Sequence, residues 1–96
     1  MTFADLQCAV AVFGLSGRVT LSEIKSRHRQ LVKRHHPDRG GEEAPERIRE
    51  INAAYGILLA YCEIYRFSFN DEEFCLQNPD ELLRRQFAHD PIWGGG

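Results

Sequence analysis

Pro37, followed closely by the pair Gly40-Gly41, breaks a chain whose apolar residues otherwise recur at helical spacing. Proline has no amide hydrogen, and its ring disfavours helical geometry at the preceding residue, here His36. A helix running into this point must stop, and the glycines let the chain turn sharply. The stretch KRHHPDRGG, residues 33–41, is therefore expected to be an exposed loop at the C-terminal end of a basic helix. His36-Pro37-Asp38 lies at its centre.

Around this break the pattern is all-α, and only FSF at 67–69 offers a weak strand signal. A first helix is expected over about Phe3 to Phe13, with Thr2 as N-cap, Phe3, Leu6, Val10 and Phe13 at three-four spacing, and Gly14 just beyond its end. Thr20-Leu-Ser-Glu23 matches a capping box, so a second helix starts near Leu21. Leu21, Ile24, His28, Leu31 and His35 form its packing face, with Val32 beside them. Lys25, Ser26, Arg29, Gln30, Lys33 and Arg34 fall on the other side. A third helix begins around Pro45, with Ile48, Ile51, Tyr55, Leu58, Cys62 and Tyr65 in one stripe. Its second half is apolar on other faces too, which calls for cover on more than one side. The tail can supply it with Phe67, Phe69, Phe74, Leu76, Leu82, Leu83, Phe87, Ile92 and Trp93. Asn70 is expected to open one further helical turn, and Asn78-Pro79-Asp80-Glu81 a short helix. Residues 67–96 are thus expected to pack on residues 1–66 rather than form an independent domain. Deleting them would then lower the melting temperature by many degrees, because a large apolar area would be exposed.

The charge is divided. Residues 18–39 carry seven Lys/Arg against Glu23 and Asp38, whereas residues 40–96 carry five against eleven Asp/Glu. A basic block inside an acidic chain suggests a surface for an anionic partner. Cys8, Cys62 and Cys75 are scattered, so neither a disulfide framework nor a zinc knuckle is expected. No apolar run approaches the roughly 18 residues of a membrane span, and the N-terminus lacks the basic start of a secretory signal. A cytoplasmic monomer with reduced thiols is the expectation.

His28, His35, His36 and Asp38 could in principle serve a metal or acid–base chemistry, and the basic helix a nucleic acid. His28 and His35 are seven apart, whereas one ion held by a helix wants histidines at i and i+4. No metal site is expected, and both histidines read as packing residues. Catalysis by His36 and Asp38 lacks a nucleophile or a glycine-rich phosphate loop, so no enzyme and no cofactor are expected. Nucleic-acid binding by the basic helix is the alternative reading. The acidic overall balance and the distance of the aromatics from the basic stripe count against it.

The stretch VFGLSGRVTLSEIKSRHRQLVKRHHPDRGG, followed by ERIREINAAYGIL, resembles the J-domain of DnaJ-type co-chaperones over residues 10–59. An HPD triplet alone is a weak signal, but both flanking patterns at this spacing make it specific. The resemblance implies an antiparallel hairpin of two long helices with HPD at its tip. It also implies docking on the ATP-bound form of a DnaK-type, seventy-kilodalton heat-shock chaperone, whose ATPase is stimulated. Carried over, His36, Pro37 and Asp38 are the triggering loop, and Lys25, Arg29, Lys33, Arg34 and Arg39 line the docking face. Asn52 falls at a recurrent polar position. Departures are plain: His28 and His35 stand where tyrosines are usual, Lys33 and Gln30 are atypical, and the tail is foreign to the family. No Gly/Phe-rich region, cysteine-rich zinc module or C-terminal client-binding domain is present, which is the pattern of a J-domain-only type.

Overall fold

The computed structural model describes residues 1–36, 38 and 41–88. Gly40, Ile92 and Trp93, on which expectations rested, lie outside them. The described residues contain helices and no strand, as the periodicity implies. The chain divides into two compact units, Met1–Tyr65 and Arg66–Gly96.

In the first unit α1 spans Phe3–Phe13. Thr2 caps it fully: its hydroxyl accepts the Asp5 amide at 3.1 Å, and the Asp5 carboxylate accepts the Thr2 amide at 2.9 Å. Accepting that backbone amide, and the Thr2 hydroxyl next, holds the Asp5 carboxyl below its ordinary value of 3.8. A depressed carboxyl contributes stability above the unfolded value and loses it as pH falls through the folded one. Acidification below about pH 4 should therefore fray the first turn of α1 before the rest of the helix. Thr2 and Asp5 amide shifts titrating no earlier than those of mid-helix residues would contradict this.

Gly14 ends α1 at φ 64°, a left-handed conformation, with its amide on the carbonyls of Ala11 and Val10. A Cβ there would also lie 3.2 Å from the guanidinium Nη2 of Arg27, so space and backbone both demand glycine.

α2 spans Leu21–Arg34 and is capped by Thr20, whose hydroxyl accepts the Glu23 amide at 3.1 Å. The expected capping box closes differently. The Glu23 carboxylate takes the Thr20 hydroxyl, at 3.1 Å, rather than the Thr20 amide. α2 stops at Arg34, ahead of Pro37, and a 3-10 turn over Gly41–Glu43 leads into α3, Ala44–Ile64.

Both α1 and α2 pack chiefly on α3. The core is one cluster of Ala9, Phe13, Ile24, Leu31, Ile51, Ala54 and Leu58, with partly buried Leu6, Val10, Val32, Ile48 and Tyr55 against it. Each large apolar side chain in it contributes about 1.5–3 kcal/mol. Two expected core residues lie outside: Phe3 is 72% exposed and Leu21 43%. Both stand at the first position of their helix, where no preceding turn covers them. Ala9, four residues before Phe13, is buried although the three-four spacing did not single it out. His28 bonds Asn52, and these sit at similar distances from the break between α2 and α3. The two helices therefore run antiparallel.

The second unit contains α4, Asp71–Gln77, and α5, Pro79–Ala88. Asn70 caps α4 by accepting the Glu73 amide at 2.8 Å. Asn78, expected as the cap of α5, instead turns its side-chain amide back to the Phe74 carbonyl at 3.0 Å and closes α4. Arg85 of α5 reaches Asp71 of α4 and, at 3.3 Å, Glu81. Arg84, bonded at 2.7 Å, is the main cause holding the Glu81 carboxyl below its ordinary range. Helices this short enclose no core of their own, and no described side chain of residues 66–87 is buried.

Candidate functional site

The end of α2 and the segment beyond it, in which Asp38 is helical rather than part of the expected loop, carry the charge and the two exposed tip groups. Lys25, Arg29 and Lys33 follow at four-residue intervals and are all exposed. This spacing lays them along one gently drifting line. Arg34, also exposed, is set about 100° round from Lys33, on the other flank of the helix. The sequence reading placed all four on one side; the structure brings three of them together. Arg29 donates to the Ser26 hydroxyl at 3.0 Å. Among the described residues none of the four cations is in an ion pair, so their field faces outward. Lys33 and Arg34 also sit in the last turn of α2, where positive charge complements the helix dipole.

His35 closes α2, its amide on the Leu31 carbonyl, and the His36 amide reaches the Lys33 carbonyl at 3.5 Å. His36 and Asp38 then organise the tip between themselves. The Asp38 amide donates to His36 Nδ1 at 3.3 Å, and Nδ1 lies 3.5 Å from the Asp38 carboxylate. With Nδ1 accepting, the proton of a neutral ring sits on Nε2, which remains as a donor. The His36 side chain is 55% exposed and that of Asp38 89%. The carboxylate thus keeps nearly all of its accepting capacity for a partner. Pro37 and Arg39 lie outside the described residues.

Two residues behind the stripe carry more than the sequence suggested. Arg27, which the sequence reading counted only as charge, donates from Nε to the Phe13 carbonyl at 2.9 Å and so satisfies the end of α1. His28 Nε2 lies 2.9 Å from Asn52 Oδ1, and its ring stacks on Tyr55 with centroids 3.9 Å apart. Phe13 stands parallel to both rings, at 6.4 and 6.2 Å. The polar position at Asn52 is thereby explained. No periodicity could have identified Arg27, because its partner is a backbone carbonyl fourteen residues away.

Among the described residues no three His, Cys, Asp or Glu side chains gather to hold a metal ion. The three cysteines are free thiols. No helix among them is long and apolar enough to cross a membrane.

Comparison with known proteins agrees with this geometry. The chain is 45% identical over 49 residues to the chaperone protein DnaJ of Deinococcus proteolyticus, covering 49% of this chain and 16% of that protein. Identity is also 45% over 49 residues to the chaperone protein DnaJ of Clostridioides difficile and to the DnaJ-related protein spj1 of Schizosaccharomyces pombe, covering 13% of each. The chain thus spans only a small part of the length of these relatives. No solved structure gives a significant match. The DnaJ domain family matches residues 10–61, which hold α2, the tip and most of α3, so the chain belongs to that family.

Proposed function

We propose that this chain docks on the ATP-bound form of a DnaK-type chaperone through its tip and the basic face of α2, and stimulates that partner's ATPase. The observation that carries the reading is the Asp38 carboxylate, 89% exposed, beyond a line of exposed cations that form no ion pair among the described residues. Asp38 would accept charge-assisted hydrogen bonds from a partner arginine. Pro37 would lower the ordering cost of the loop, and His36 would add the Nε2 donor. Lys25, Arg29, Lys33, Arg34 and Arg39 would attract an acidic patch, which raises the association rate more than the affinity and weakens with salt. Hydrolysis takes place in the partner, whose hydrolysis-competent state is favoured by docking. The chain itself supplies no catalytic group and acts as a cytoplasmic monomer.

Single-turnover ATP hydrolysis by a DnaK-type chaperone tests this. Wild type should accelerate hydrolysis, and His36→Gln should not. Absence of acceleration by wild type, or equal acceleration by both, overturns the proposal.

A further inference from the structure

We infer that Arg27 and His28 act as a two-point pin that sets the rotation of α2 about its own axis, and so the direction in which the basic stripe points. The inference deepens the docking reading and rests on it. Ile24 and Leu31 are the buried residues of α2, seven apart on one line along the helix, with Val32 partly buried to one side. Apolar burial over so narrow a face is non-directional and resists rolling of the helix poorly. Hydrogen bonds are directional, and α2 has one on each flank of the line. Arg27 lies about 60° to one side of Ile24 and binds the Phe13 carbonyl of α1. His28 lies about 40° to the other side, binds Asn52 of α3 at 2.9 Å and stacks on Tyr55. A roll in either sense must stretch one of the two bonds.

The stripe moves with that roll. Lys25, Arg29 and Lys33 project from the side of α2 away from Ile24. A 20° roll at a radius of about 6 Å shifts each cation by roughly 2 Å relative to the tip. Such a shift degrades a multi-point electrostatic match while leaving Asp38 and His36 as they were. Arg27 and Asn52 are therefore positioning residues.

The test uses the full chain with Asn52→Ala, Arg27→Met and the double variant. Asn52 is exposed on α3, so its truncation leaves no buried group unpaired, and methionine keeps the apolar stem of Arg27. With a DnaK-type partner, well below the melting temperature, each single variant should raise the half-stimulating concentration about two- to tenfold, the equivalent of one net hydrogen bond. Stimulation at saturation should stay unchanged. The double variant should exceed the product of the singles, because one bond alone still limits the roll. A merely structural role would lower melting temperature without this split. Residual dipolar couplings of α2 amides, referenced to α3 and measured without any partner, should report an altered roll in the double variant. Wild-type couplings in the double variant, or unchanged half-stimulating concentrations, overturn the pin. If wild type stimulates no DnaK-type partner, the docking reading fails, and the couplings still decide the pin.

Discussion

Asp38→Asn should reduce stimulation of a DnaK-type ATPase about 10- to 150-fold at sub-saturating concentration. Asparagine keeps the shape and one acceptor oxygen but removes the charge. A hydrogen bond to a charged group contributes about 1.5–3 kcal/mol, and each 1.4 kcal/mol is a factor of ten. The fold should not notice. The Asp38 side chain is 89% exposed, and among the described residues it meets the neighbouring His36 ring. Its amide bond to Nδ1 comes from the backbone and survives the substitution. The melting temperature should therefore stay within the change expected of a surface substitution, about 0.5 kcal/mol or less. Lys33→Ala should behave differently, with a smaller loss that disappears as salt is raised, because an exposed charge acts by steering. Undiminished stimulation by Asp38→Asn, with unchanged stability, would remove the carboxylate from the docking mechanism.

The helices were legible because their signals are local. Thr20 and Glu23, Gly14, Pro37 and Pro45 act within a turn or two of their own positions, and the three-four spacing of Ile51, Tyr55 and Leu58 reports one face of one helix. What the residues hid is what depends on neighbours across the fold. Phe3 reads as core by spacing, yet as the first residue of α1 it is left open. Arg27 reads only as one charge in the basic block, yet it serves the end of another helix. The Glu23 carboxylate and the Asn78 amide choose partners that their motifs do not specify, because two hydrogen-bonding options compete within one turn. The basic face of α2 is the opposite case: its composition is visible in the charge count, and the separation of Arg34 from Lys33 follows from helical rotation alone.

Phe13→Ala should be the most damaging single substitution in the first unit, costing about 3–5 kcal/mol. Among the described residues Phe13 is the one large side chain that is fully buried, with 0% exposure, and it sits where α1, α2 and α3 meet. Its ring lies parallel to those of His28 and Tyr55, and its carbonyl receives Arg27. Alanine would leave a cavity bounded by all three helices, and rigid helices cannot collapse to fill it without separating from one another. A unit of this size has a stability of roughly 3–10 kcal/mol, so the substitution consumes much of the margin. Melting temperature should fall by about 12–40 °C, using 4–8 °C per kcal/mol for domains this small. Phe13→Leu keeps most of the volume and should lose far less, roughly 1–1.5 kcal/mol. Helicity followed by circular dichroism through a thermal scan separates the two variants. A drop of under about 5 °C for Phe13→Ala would mean that α1 is not the keystone its burial implies. Because Phe13 touches neither the tip nor the stripe, the alanine variant should still stimulate a partner at temperatures where it remains folded. Loss of stimulation should follow its unfolding curve rather than precede it.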